Sequence, residues 1–191
     1  MVHAYWLVFK QLFRKSPEQI ELLDRSAGYF FLVVQDALAN DIQLTLSKLA
    51  DPATTFGKDN ATAEHLLNEI EPFCAPEVAS SLRLLRQLFN DACVPVRTQR
   101  NKRIAHADRD IALNKVAALP DVTAAQITEA LSALAAFMNA IQTHFEGSET
   151  AYEHFGMHGA GAEDLVGLLR MAERYQILQE DGQIPWDDLL P

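Results

Sequence analysis

Residues 97–109, RTQRNKRIAHADR, hold five of the sixteen lysines and arginines of the chain around one histidine. The basic residues are Arg97, Arg100, Lys102, Arg103 and Arg109, and the histidine is His106. A histidine side chain transfers protons near neutral pH, and the planar guanidinium of arginine matches the geometry of a phosphate. Asn101 adds a neutral side chain that can orient a phosphate or a ribose hydroxyl. The set fits cleavage of RNA by attack of a 2′-hydroxyl on the adjacent phosphorus, a reaction that requires no metal ion.

The alternative interpretation of the same cluster is a solvated helix face, because charged side chains usually cover surfaces. Helical spacing bears on the choice. Arg103 lies three residues before His106, so both share one face of a continuous helix. Arg100 lies six residues before His106, which places it about 120° away at ~100° per residue. Either the segment before residue 101 is irregular, or an arginine and a histidine of two subunits meet across a dimer interface.

The length and the composition of the chain permit one domain with a well-buried core over residues 1–191. The formal net charge of −10 argues against a whole surface that coats nucleic acid or membrane, although association also responds to a local basic site. The amino-terminal stretch lacks the features of a signal peptide. The longest apolar run, AGYFFLVV, is far shorter than the ~20 residues that cross a bilayer. We therefore expect a cytoplasmic protein without a membrane partner.

The cysteine and histidine content predicts no metal site and no cofactor. Cys74 and Cys93 are the two cysteines; they cannot form a disulfide framework, and no Cys/His spacing typical of zinc accompanies them. His154 and His158 have the spacing of metal ligands on a helix, but the glycines around them disfavour a helix and no third ligand is evident in the sequence. We expect both cysteines to be buried thiols in a reducing compartment.

Helical periodicity is the main secondary-structure signal along the chain. Ser16-Pro17-Glu18 predicts the start of a helix of about nine turns that ends at Asp51-Pro52. Further helices are predicted before Pro72, from Pro76 to an interruption at Pro95, after a loop and cap at Pro120–Thr123, and over residues 163–178. The apolar stripes of these helices include Phe30, Leu88, Leu165 and Leu168. No alternating strand pattern appears, so the expected fold is all-α, a bundle of five to seven helices with one long central helix.

Arg100-Asn101, four further residues and then His106 resemble the signature of the HEPN superfamily, in which an arginine, a polar residue and a histidine follow in this order. The wider sequence resembles the AbiU-like branch, found in bacterial abortive infection. The similar elements are the stretch LTLSKLADPATT, a helix like NATAEHLLNEI, and RNKRIAH about forty residues later. The resemblance covers roughly residues 25–170.

This resemblance implies a helical HEPN domain that forms a homodimer with two copies of the motif in one cleft. Active members are metal-independent endoribonucleases that leave a 2′,3′-cyclic phosphate and a 5′-hydroxyl, and the branch implies a toxin or phage-defence effector with an antitoxin or regulatory protein. Carried over by position, His106 transfers the proton, Arg100 binds the phosphate and Asn101 is the polar companion. The expected RNA-binding residues beside them are Arg97, Lys102, Arg103 and Arg109.

Two alternatives qualify this expectation. A HEPN domain that keeps the motif without cleaving RNA would act as a non-catalytic helical module that binds RNA, a nucleotide or a protein partner. Some HEPN toxins also carry a tyrosine two positions after the histidine, where a partner enzyme attaches AMP. Asp108 occupies that position here, so silencing by this route is in doubt.

Overall fold

The computed structural model describes residues 1–100, 121–154 and 161–185. The described residues contain seven α-helices: α1 (Val2–Phe13), α2 (Pro17–Leu49), α3 (Ala63–Ile70), α4 (Pro76–Ala92), α5 (Val94–Gln99), α6 (Ala124–Glu146) and α7 (Ala162–Glu180). A short 3-10 helix, Glu71–Phe73, follows α3. The predicted all-α class is confirmed. The sequence did not predict a small antiparallel hairpin of two strands, β1 (Thr54–Thr55) and β2 (Lys58–Asp59).

The contacts within the chain define two compact units. The larger unit contains Met1–His3 and the described residues of Ala39–Glu153. The smaller unit contains Ala4–Leu38 and the described residues from His154 onward. The long helix α2 therefore contributes its amino-terminal part to the smaller unit and its carboxyl-terminal part to the larger one.

Helix α2 begins as predicted and contains one irregular residue. The Ser16 hydroxyl accepts a hydrogen bond from the Gln19 backbone N–H at 3.3 Å, which is the N-cap arrangement. At Ala27 the backbone leaves helical geometry, with φ −163° and ψ 59°. The Ser26 hydroxyl donates to the Leu22 carbonyl at 2.7 Å, and Gly28 follows. Serine back-bonding and a neighbouring glycine are common causes of such kinks.

The smaller unit has its own apolar core. Its buried members are Leu12, Leu22, Leu23, Phe31, Ala162 and Val166. Two predictions about which apolar residues of α2 and α7 face this core were wrong. Leu165 and Leu168 of α7 are 39% and 63% exposed, because Ala162 and Val166 form the face that packs. Phe30 is 58% exposed, because the adjacent Phe31 points into the core instead.

The larger unit is built on the packing of α4 against α6. Leu82 and Phe89 of α4 are buried, as are five residues of α6, including Leu134 and Phe137. The predicted cap of α6 is confirmed, since the Thr123 hydroxyl accepts the Gln126 N–H at 3.3 Å. The inward prediction for Leu88 was wrong, because this side chain is 51% exposed.

Helix α6 is also long and apolar enough, by length and composition alone, to cross a membrane. The same test is passed by core helices of soluble proteins, and it is weak evidence for a span. In the described structure Ala130, Leu131, Leu134 and Phe137 of α6 are buried and the helix packs against α4. The core of the larger unit therefore accounts for these four apolar residues, while 28% of the most apolar 18-residue stretch of α6 is buried.

Candidate functional site

The described part of the basic cluster begins where α4 gives way to α5. Cys93 separates the two helices with φ −84° and ψ −4°, and Pro95 lies in the first turn of α5. Proline fits there because the first N–H groups of a helix have no intrahelical partner. The predicted interruption at Pro95 is thus a change from one helix to the next. Arg100 directly follows α5 with helical geometry, φ −53° and ψ −50°.

Arg100 forms an ion pair with the carboxylate that follows α2. Its Nη1 donates to Oδ2 of Asp51 at 2.5 Å. The two side chains are 16% and 24% exposed, respectively. A charge-assisted hydrogen bond between groups shielded from water is stronger than a surface pair. The first residue of the motif is therefore held by a residue 49 positions earlier.

Arg97 approaches the other oxygen of the same carboxylate. Its Nε lies 3.8 Å from Oδ1 of Asp51, and its Nη1 donates to Oδ1 of Asn90 at 3.4 Å. The Nε atom is buried and makes no hydrogen bond with the described residues. Arg97 is only 31% exposed, so part of this predicted RNA-binding side chain faces protein groups. Asp51 thus has one guanidinium at each oxygen.

The chain on both sides of Asp51 is tightly hydrogen-bonded. Before it, the Asp51 N–H donates to the Lys48 carbonyl at 3.2 Å. After it, the Asn60 side-chain amide donates to the Pro52 carbonyl at 2.9 Å, and the Ala53 N–H donates to the Glu64 carboxylate at 2.9 Å. The β1–β2 hairpin between these points turns through Phe56 and Gly57, both with positive φ, as in a type I′ turn.

The thiol nearest to this network is buried and un-ionised. Cys93 is 0% exposed. Burial raises the pKa of its thiol to about 12, against a smaller opposing effect of the Arg97 charge. A thiol with such a pKa is a poor nucleophile near neutral pH. Cys93 is therefore a buried packing residue at the junction of α4 and α5.

Several predicted site residues lie outside the described residues. They are Asn101, Lys102, Arg103, His106 and Arg109, together with Asp108 and His158. Among the predicted site residues, the structure places Arg97 and Arg100 and brings both to Asp51. Within residues 1–100, 121–154 and 161–185, no group of three or more His, Cys, Asp or Glu side chains is arranged to hold a metal ion.

Sequence reasoning used Asp51 only as the end of a helix, and missed its link to Arg100. The available signal was the stretch LTLSKLADPATT, which already contributed to the family resemblance. An aspartate before a proline is adequately explained as a helix stop, so nothing in the pattern required a second role. The pairing depends on contact between residues far apart in the chain, which spacing does not reveal.

A groove in the larger unit lies between α4 and α6. It is an open groove of about 730 Å³, with Val78, Leu82, Ala136 and Ala140 among its lining residues. Glu77, His144 and Glu149 also line it. Arg97 and Arg100, the predicted site residues that the structure describes, are not among its lining residues.

Comparison with known proteins gives one match. Residues 1–165 match the model of the HEPN family AbiU2, and the matched range includes every residue of the predicted site. No curated protein and no solved structure matches the chain.

Proposed function

The chain belongs to the AbiU2 family of HEPN proteins, and from this membership we propose that it is a metal-independent endoribonuclease of phage defence or a related toxin. The observation that carries the proposal is the placement of Arg100. Its guanidinium is largely shielded from water and fixed by Asp51 at 2.5 Å. A permanently charged, oriented guanidinium is the group that a phosphate-transfer site needs.

In the proposed reaction the 2′-oxygen of a ribose forms a bond to the adjacent phosphorus and the bond from phosphorus to the 5′-oxygen breaks. The 2′-hydroxyl loses its proton and the 5′-oxygen gains one. His106 takes part in these proton transfers, since imidazole exchanges protons near neutral pH. Arg100 stabilises the negative charge on the non-bridging oxygens, and Asn101 orients the phosphate or the ribose. The products are a 2′,3′-cyclic phosphate and a 5′-hydroxyl.

The proposal includes a cytoplasmic homodimer with two motifs in one cleft, and an antitoxin or another regulatory protein as a partner. Lys102, Arg103, Arg109 and the exposed part of Arg97 would contact the RNA backbone. Because the chain carries a formal net charge of −10, attraction to RNA would come from this local cluster. RNA binding should then weaken steeply as salt concentration rises.

The deciding experiment incubates the purified protein with total RNA in EDTA, beside His106→Ala and Arg100→Ala. Removal of a general acid or base costs about 10²–10⁴ in rate, so we expect cleavage by the wild type and at least a 100-fold loss in His106→Ala. The ends should carry cyclic phosphate, which a phosphatase removes only after acid opens the ring. Size-exclusion chromatography of the same samples tests the dimer.

Two substitutions serve as matched controls. His144→Ala removes an exposed histidine at the end of α6, and Arg170→Ala removes an exposed arginine of α7. Both should leave cleavage unchanged. If the folded wild type cuts no RNA but binds it in a salt-dependent manner, the enzyme proposal fails and the non-catalytic binding module replaces it.

A further inference from the structure

We propose that Asp51 is a positioning residue for Arg100, holding its guanidinium in the orientation in which it meets a phosphate. The inference rests on the proposed function for its consequence in catalysis. Its structural part, that Asp51 immobilises the Arg100 side chain, stands on the described contacts alone.

The first step is the geometry of the pair. Oδ2 of Asp51 lies 2.5 Å from Nη1 of Arg100, and Oδ1 lies 3.8 Å from Nε of Arg97. Because each oxygen faces a different guanidinium, rotation of the carboxylate would disturb two ion pairs at once. The three side chains are between 16% and 31% exposed, so water competes weakly for these contacts.

The second step is the rigidity of Asp51 itself. The Ala53 N–H is held by Glu64, and Arg86 of α4 pairs with Glu64 at 2.8 Å. Asn60 holds the Pro52 carbonyl from the hairpin side. The backbone that directly follows Asp51 is therefore held by α3, by the residue after the hairpin and, through Glu64, by α4.

The third step is charge. Among these three side chains, two guanidinium groups face one carboxylate, so the carboxylate does not cancel the positive charge that attracts phosphate. Ordering a long arginine side chain costs conformational entropy. If the arginine is already ordered in the free protein, substrate binding does not have to supply this free energy. The site then stabilises the reacting phosphate better than a site whose arginine becomes ordered only when substrate binds.

Asp51→Asn tests the catalytic part of the proposal, because it keeps the shape of the side chain and removes its charge. With a labelled RNA oligonucleotide that the wild type cleaves, we expect kcat to fall about 100-fold, as for a misplaced catalytic group. KM should stay unchanged or fall, since the cluster gains positive charge. Asp51→Glu should restore part of the lost rate. The matched control is Asp41→Asn, which removes an exposed carboxylate from α2.

Three results would overturn the catalytic part. Faster cleavage by Asp51→Asn would mean that the carboxylate competes with phosphate for Arg100. A rise in KM with unchanged kcat would mean that Asp51 serves binding alone. A loss of cleavage that is accompanied by a loss of thermal stability, with neither restored in Asp51→Glu, would mean a general role in folding.

Nitrogen NMR of the arginine side chains tests the structural part without any cleavage. The Nη–H signals of Arg100, assigned from their loss in Arg100→Lys, should show slow exchange with water and restricted rotation in the wild type, because Nη1 is the donor to Asp51. Both properties should be lost in Asp51→Asn and kept in Asp41→Asn. Unchanged Arg100 signals in Asp51→Asn would refute the positioning role. If the wild type cuts no RNA while these signals respond as expected, the proposed function fails and the positioning role stands.

Discussion

His3 Nε2 donates a hydrogen bond of 3.1 Å to the backbone carbonyl of Leu131, 128 positions later in the chain. Because a carbonyl oxygen can only accept, this ring nitrogen carries the proton. The imidazole also lies 4.9 Å from the ring of Tyr152. One histidine therefore connects the start of the chain to α6 and to the segment that follows α6.

This contact predicts a pH dependence of stability. Burial lowers the pKa of His3 below its ordinary value of 6.5, and the amino terminus lowers it further, while the Leu131 carbonyl and Glu153 act in the opposite direction. The folded protein thus prefers neutral His3, and the unfolded chain binds the proton more readily. The contribution of His3 to stability is fully present above about pH 6.5 and is lost as the pH falls through its lower, folded-state pKa.

Urea unfolding at pH 7.5 and pH 5.5 measures this contribution. The wild type should lose more stability between the two pH values than His3→Gln, which can still donate to Leu131 but does not titrate. His144→Gln, which removes an exposed histidine of α6, should behave as the wild type does. A pH dependence that His3→Gln leaves unchanged would contradict the assignment.

The two cysteines should react with thiol reagents at different rates. Cys93 is fully buried, with a pKa raised to about 12, so only about one thiol in ten thousand is ionised at pH 8. The expectation that both thiols are buried was wrong for Cys74, which is partly exposed and whose thiol donates to the Ile70 carbonyl. We expect one rapidly modified cysteine in the native protein and a second only after unfolding in urea.

Cys74→Ser supplies the control for this measurement. The rapid phase should vanish, and the remaining thiol should react at a rate that follows global unfolding. Rapid labelling of Cys93 in the native protein would show that α4 and α5 open locally around it.

The fold was largely predictable because its signals are local. The Ser16 cap, the end of α2 at Asp51-Pro52 and the cap of α6 at Thr123 each depend on residues within one turn. The errors concern the choice between two apolar faces of one helix. Leu88 of α4, which was predicted to face inward, is 51% exposed, as is Leu84 one turn earlier, at 61%. Periodicity marks such a row as apolar, but only the packing partner decides which row is covered.

In the candidate site, too, the residue carried by a local pattern was predicted and the residue that depends on tertiary contact was not. Arg100 was found from the spacing of the motif, because the resemblance is carried by neighbouring residues. Asp51, its partner in the structure, directly follows α2, and the sequence between them contains a hairpin, three α-helices and a 3-10 helix. An ion pair between residues so far apart in sequence depends on the tertiary structure of the larger unit. No local sequence pattern predicts it.

Phe89 and Leu88 provide a direct test of the face that α4 buries. Phe89 is 0% exposed and Leu88 is 51% exposed, although they are neighbours in sequence. Phe89→Ala should reduce the free energy of unfolding by about 3–5 kcal/mol, the usual cost of emptying a core position. Leu88→Ala should change it by less than about 1 kcal/mol. Urea unfolding followed by circular dichroism measures both, and similar losses would mean that α4 packs on a different face.

Gly147 and Gly167 should respond in opposite directions to the same substitution. Gly147 ends α6 with φ +66°, and its N–H donates to the Thr143 carbonyl at 3.2 Å. Among the described residues, a β-carbon at either glycine would meet no neighbouring atom within 4 Å, so steric contact with these residues does not contribute. Gly147→Ala should therefore cost about 1–2 kcal/mol through its left-handed backbone, and Gly147→Asn should cost less because asparagine tolerates that conformation.

Gly167 lies inside α7, where the backbone is helical. Gly167→Ala should stabilise the protein by about 0.5–1 kcal/mol, because alanine loses less backbone entropy in a helix. For a chain of this size, 1 kcal/mol corresponds to a shift in Tm of about 2–4 °C. Thermal unfolding of the two alanine variants should then give shifts of opposite sign. A loss of Tm in Gly167→Ala would mean that a partner approaches α7 closely at this glycine, because the described residues leave that space open.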